Sequence, residues 1–235
     1  MIQKFYLKLV FLFLSILLVF GLKAQDETTK DSSLPKSGKG WAIAIHGGTI
    51  GGGITLNKGF TKHFGIRLGY YSGNLNQKVE TQFNTDKVSL DAKLKFGAAS
   101  LLFDLFPGKS SFHFTTGLVY NRNNYRVDIS PTGTQTYGLI EYKPEQIGTI
   151  TFDISGANYA PYIGLGFGRT ITKNRIGFGL DLGSFYHGNL TTKLETKGTF
   201  GPSNTAENQE IVQKAFEGFN WYPFLNFNLS IKISK

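Results

Sequence analysis

From Trp41 onward the chain alternates apolar residues with polar or small ones at a period of two. In its last segment Trp221, Pro223, Leu225, Phe227, Leu229, Ile231 and Ile233 fall on one side. Tyr222, Phe224, Asn226, Asn228, Ser230, Lys232 and Ser234 fall on the other. Successive side chains of a strand point to opposite faces, so such a run predicts a strand with one apolar and one polar face. The same alternation recurs over 64–71, 88–96, 112–121, 159–168 and 176–183. Over 96–105 the apolar parity moves from Phe96 to Leu101, Phe103 and Leu105. That slip predicts a β-bulge within 97–100, which keeps Asp104 on the polar side.

Residues 41–60 as one strand would extend roughly 66 Å, more than twice a membrane core of ~30 Å. The glycines at 47–48 and 51–53 supply a turn, so the segment is read as two strands. Eight strands are then predicted, near 41–48, 52–60, 64–77, 86–106, 111–128, 155–171, 175–197 and 220–234. Tight turns at 61–63, 107–110 and 172–175 alternate with longer connections after the third, fifth and seventh strands. Over 205–217 the period changes: Ile211, Val212 and Phe216 recur at helical spacing behind Asn204 or Thr205 as N-cap, and Gly218 follows as a stop.

A soluble sandwich shares the alternation, but its strands average about 5–6 residues, and these are longer. The fold class predicted is all-β: an eight-stranded antiparallel transmembrane β-barrel with a short helix between strands 7 and 8. Phe60, Phe64, Phe106 and Phe112 beside the short turns, and Tyr70, Tyr120, Tyr159, Tyr186 and Trp221 a membrane's width away, form two girdles. Short turns mark the periplasmic side in such barrels, so both termini are expected there. A monomer is expected, with membrane lipid, lipopolysaccharide and the barrel-assembly machinery as partners.

Composition agrees. Of 235 residues, 29 are Gly and none is Cys, 14% are aromatic and only 17% are charged. This excludes a disordered chain, a coiled coil and a disulfide scaffold. The net charge is +9, but its cations are scattered rather than gathered into the stripe that nucleic acid requires. At the N-terminus Lys4 and Lys8 precede an uncharged apolar run over 9–22. That run is shorter than the about 17–25 residues of a spanning helix. Residues 1–24 are therefore read as a secretory signal, 25–40 as a disordered lead-in and 41–235 as the barrel.

Parity puts six titratable residues inside: Arg67, Asp104 and Lys232 near the short turns, with Lys95, His113 and Asp181 higher. Arg67 and Asp104, on neighbouring strands, are expected to pair as a structural plug or to line a polar path for a solute. His46, His63, His113 and His187 fall in no nucleophile–base spacing, so no catalytic residue, cofactor or metal site is assigned and an enzyme is not expected.

Three stretches carry a resemblance: SLDAKLKFGAASLLFDLFPGKSSFHFTTGLVYNRNNYRVD, YAPYIGLGFGRTITKNRIGFGLDLGSFYHGN and FNWYPFLNFNLSIKI. With the loop QTYGLIEYKPEQIG they resemble CarO-type small outer-membrane barrels, associated with carbapenem susceptibility and uptake of basic amino acids such as ornithine. The resemblance implies an eight-stranded outer-membrane barrel. From this follows the functional expectation of a narrow channel or binding barrel for small polar solutes. The rivals are a plugged structural or surface-interaction barrel and, below it, a lipid A-modifying barrel.

Overall fold

The computed structural model describes residues 39–83, 86–107, 111–137, 140–169, 171, 175–198 and 205–234. The signal segment 1–24, most of the lead-in, Asn204 and the centres of the turns 107–110 and 172–175 lie outside them. The strands are β1 (Gly40–Gly48), β2 (Gly51–Gly59), β3 (Phe64–Phe83), β4 (Asp86–Leu105), β5 (Phe112–Asn121), β6 (Asn124–Pro131), β7 (Gln135–Tyr137), β8 (Ile140–Tyr142), β9 (Ile150–Ser155), β10 (Tyr159–Gly168), β11 (Ile176–Tyr186), β12 (Thr191–Thr196) and β13 (Trp221–Ser234). A helical turn α1 (Pro144–Ile147) precedes β9, and helix α2 (Ala206–Ala215) precedes β13.

Every ladder is antiparallel. Pairings run β1-β2-β3-β4-β5-β10-β11-β13 and return to β1, a closed ring through eight strands. On one side of the ring the chain continues upward. The upper halves of β3 and β4 pair on through β6 and β9 to β12, making an open five-stranded wing. The predicted strands 111–128, 155–171 and 175–197 are thus each interrupted, at Arg122–Asn123, Gly156–Asn158 and His187–Leu190. These breaks lie at one level and bond to each other: Asn121 N–H donates to the Asn158 carbonyl (2.6 Å) and Ala157 N–H to the His187 carbonyl (2.8 Å).

The bulge predicted within 97–100 does not exist. β3 and β4 keep one register from Phe64↔Leu105 to Phe83↔Asp86. The parity slip records a change in the character of the outward face. Within the ring, Leu101 and Leu105 face outward while Ala98, Ser100, Leu102 and Asp104 are buried inside. Above it, Val88, Leu90, Ala92, Leu94 and Phe96 continue the inner face, and Ser89, Asp91, Lys93 and Lys95 the outer one. The outer face is therefore apolar along the ring and polar along the wing. The register shift lies elsewhere. Gly188, at φ +67, follows β11, whose inward residues are odd-numbered, and precedes β12, whose buried residues Thr192 and Leu194 are even-numbered.

The β1–β2 turn is only Thr49–Ile50. Gly51 at φ +96 takes a conformation that L side chains rarely adopt, which lets the turn drop the buried Ile50 into the ring. Outside, Ile45, Leu68, Phe114, Ile163, Phe178 and Phe227 are exposed, Phe178 by 73%. Along β3 the band from Phe64 to Tyr70 measures about 20 Å. Tyr70, Tyr120, Tyr159, Tyr186 and Trp221 are all exposed at its upper edge, with Tyr120–Tyr159 and Tyr186–Trp221 rings at 5.3 and 5.2 Å. Phe106, expected in the lower girdle, is instead buried inside against His113 (4.8 Å). Its even number gives it the inward parity of Asp104.

α2 starts where Thr205 Oγ1 accepts the Asn208 N–H at 3.2 Å. Its apolar Ile211 is exposed, and the helix seats through glutamines instead. Gln213 Oε1 accepts from Thr192 N–H (3.0 Å) and Gln209 Oε1 from Leu194 N–H (2.7 Å). In return Gln213 Nε2 donates to the Leu190 carbonyl (2.5 Å) and Gln209 Nε2 to that of Thr192. Two side chains four apart on one helix face thus occupy the ladder positions of a missing strand and cover the wing's edge.

Candidate functional site

The interior of the ring is filled at two levels. The lower level centres on Arg67, 4% exposed, between two carboxylates. Its Nε lies 2.8 Å from Asp104 Oδ2 and its Nη2 donates to Asp104 Oδ1 at 2.9 Å. Nη1 donates to Asp181 Oδ2 at 2.6 Å, and Nη2 also reaches Asp181 Oδ1 (3.2 Å) and Thr115 Oγ1 (3.1 Å). Thr115 donates to Asp104 (2.8 Å), Asn228 Nδ2 to Asp181 (2.6 Å), and His113 Nε2 stands 3.0 Å from Asp181 Oδ1. A planar guanidinium presents donors on two edges, so it can hold a carboxylate along each. Gly166 makes this possible: a Cβ there would meet the His113 ring and Asp181 Oδ1.

Below, the Arg169 guanidinium covers the Phe106 ring at 4.6 Å, and the cavity between Arg67, Phe106 and Arg169 measures about 10 Å³. Above, His46 stacks on Tyr71 at 4.2 Å, and Phe224 meets Tyr71 and Tyr162 edge-on at 5.8 and 5.3 Å. Ile50, Val119, Ala160 and Phe185 complete this buried layer. Tyr162 fits because Gly164 and Gly183 flank its hydroxyl: a Cβ at either would strike it.

Of the six residues assigned from the sequence, Arg67, Asp104, His113 and Asp181 come together in one network. His113 lies at the level of Asp181, near the start of β5 and the short turn, rather than above Arg67. Lys232 lies on the inner face, half-buried at the short-turn end and outside that network; its backbone N–H donates to the Arg175 carbonyl at 2.9 Å. Lys95 is exposed on the outer face of the wing, opposite Asn124, because the unbroken β3–β4 register leaves it odd-numbered on a strand whose inward residues are even. Sequence reading missed Thr115, Asn228 and the whole aromatic layer. The signal was present in the glycines, which sit opposite the large inner side chains they accommodate.

The outer face of the wing carries a second polar network. Lys93 Nζ lies 3.1 Å from Asp128 and 3.3 Å from Asp91, and Arg126 lies 3.2 Å from Asp128 and 3.5 Å from Asp153. Thr151 donates to Asp128 at 2.7 Å. Burial alone would push the Asp128 carboxyl up, but the Thr151 hydroxyl and the two cations hold it below its ordinary value. A groove of about 490 Å³ runs beside it, lined by Lys78, Asp91, Arg126, Asp128, Thr151 and Lys197.

No protein-family model and no curated protein matches the chain. Among solved structures the fold is similar to that of Acinetobacter baumannii CarO2, with a TM-score of 0.60 and 20% identity over 83% of this chain and 99% of that one. Acinetobacter baumannii CarO is similar at a TM-score of 0.57 and 19% identity, over 87% of this chain and all of that one. The likeness to CarO-type proteins expected from the sequence is thus present in the fold.

Proposed function

We propose that the chain is an eight-stranded outer-membrane barrel with a closed lumen, whose working surface is the wing above the membrane. The exposed apolar band and the buried polar interior support the membrane placement, since only lipid makes such an exterior favourable. The short turns and both termini then lie in the periplasm and the wing outside the cell, with residues 1–24 as the export signal. His113 belongs to the lumen network, with Asp181 and the Ser111 carbonyl beside its two ring nitrogens.

The observation that carries the closed lumen is its filling at two independent levels, the Arg67 network and the Tyr71–Tyr162–Phe224 layer. An eight-stranded barrel has room for little more than its own side chains. Planar-bilayer recording on the refolded protein tests this. A silent membrane with verified insertion is expected. Steady, ion-selective conductance would overturn it and restore passage of small polar solutes, basic amino acids included, as the function.

A further inference from the structure

The ladders sort the outer face of the wing into rows above the tyrosine girdle Tyr70↔Ala99↔Tyr120↔Tyr159. Each row rises about 7 Å along the strands. Arg122 stands beside Gly97 in the first row; it is exposed, and its N–H donates to the Gly97 carbonyl at 2.7 Å. The second row is Asn74↔Lys95↔Asn124↔Ser155↔Thr191. The third is Asn76↔Lys93↔Arg126↔Asp153↔Lys193. The fourth is Lys78↔Asp91↔Asp128↔Thr151↔Glu195. The sign of the charge therefore reverses with height. The three rows nearest the girdle hold five cations and one carboxylate, and the fourth holds one cation and three carboxylates.

The acids of the upper row are not idle. Asp128 and Asp91 hold Lys93, and Asp128 with Asp153 holds Arg126, so each of these two cations is paired with two carboxylates. Lys95, Arg122 and Lys193 are exposed and carry no ion pair among the described residues. Arg122 and Lys95, free cations in the first two rows above an aromatic girdle and on the face that continues the apolar outer surface, stand at the height of lipid headgroups, with Lys193 one row higher.

We propose that Arg122, Lys95, Lys93, Arg126 and Lys193 form a lateral belt that binds the phosphates of the outer-leaflet glycolipid, the lipid A headgroup. Arg122, Lys95 and Lys193 supply unpaired charge, and Lys93 and Arg126 an ion-paired centre. The partner is chosen by charge complementarity and height together: the phosphates lie against Arg122 and Lys95 in the first two rows, the third-row cations extend the positive field above them, and the acidic fourth row repels anions placed higher. The belt rests on the outer-membrane reading above.

The test uses the full mature chain refolded in detergent micelles and observed by native mass spectrometry. Lipid A bearing both phosphates, the same lipid dephosphorylated and inorganic phosphate are the probes. An adduct is expected with the phosphorylated lipid and lost with the dephosphorylated one. Near an anionic surface each cation is worth about fivefold in binding, so Lys95→Ala should weaken the adduct about fivefold and the triple variant with Arg122→Ala and Lys193→Ala about a hundredfold. Lys78→Ala, the same charge change one row above the belt, should leave binding within about twofold. A triple variant that binds like the native chain overturns the belt, as does equal loss from Lys78→Ala. Displacement of the lipid by inorganic phosphate at equal concentration also overturns it, by marking a free-anion site. A chain that forms its sheet but never enters micelles would instead overturn the outer-membrane reading.

Discussion

Replacing Arg67 should cost far more than replacing either carboxylate it holds. In the native lumen one guanidinium serves both Asp104 and Asp181, and all three are at most 4% exposed. Arg67→Met strands two buried carboxylates, with Thr115 left to donate to Asp104 and with Asn228 and His113 beside Asp181. Breaking a buried ion pair by removing one partner costs roughly 3–5 kcal/mol, so this variant should lose at least that much. Asp104→Ala is milder, because Arg67 keeps its bonds to Asp181. What it loses is one bidentate pair and the acceptor of Thr115, about 1–3 kcal/mol for groups left without partners. The double variant should recover part of the sum, because no carboxylate then remains at 104 to be stranded. Urea unfolding of the refolded protein in lipid vesicles measures all three, read by the fluorescence of Trp41 and Trp221, which both lie exposed on the outer face of the ring. Residues in one network should show a coupling energy of about 0.5–3 kcal/mol. A cycle with no coupling, or an Asp104→Ala loss equal to that of Arg67→Met, would refute the shared-guanidinium argument.

Two further outcomes concern the wing. Gln209→Ala with Gln213→Ala removes five side-chain bonds to β12 and to Leu190 just before it, so the Thr192 and Leu194 amides should lose hydrogen-exchange protection and the protein should aggregate more readily; unchanged exchange would show that α2 does not cover that edge. The Asp128 carboxyl is held below its ordinary value of 3.8, so its contribution to wing stability is fully present above that pH and is lost as pH falls through the lower folded value. Asp128→Asn should flatten the acid-side decline in protease resistance of 124–155, and an identical decline in both proteins would count against the Lys93–Asp128–Arg126 network.

The strands and the faces of the ring were legible in the chain itself. Alternation is local: a side chain's face follows from its number alone once a strand forms, so Arg67, Asp104 and the apolar band could be placed without coordinates. The helix at 206–215 was equally local, written in its period and its Thr205 cap. What required the tertiary structure was every statement comparing one strand with another. The parity change near Phe96 looks like a bulge in one dimension. Only the unbroken pairing with β3 shows that the backbone is regular and that its outward face has changed from apolar to polar. The one-residue shift at Gly188 leaves no such mark on the apolar pattern, yet it turns Lys193 outward to join Lys93 and Arg126. Nothing in the sequence singles out Gln209 and Gln213 until β12 is known to end the sheet beside them. Asp181 lies 114 residues from Arg67. Ring closure brings its carboxylate to the second edge of the guanidinium, because the narrow ring brings inward side chains from its separate strands within reach of one another.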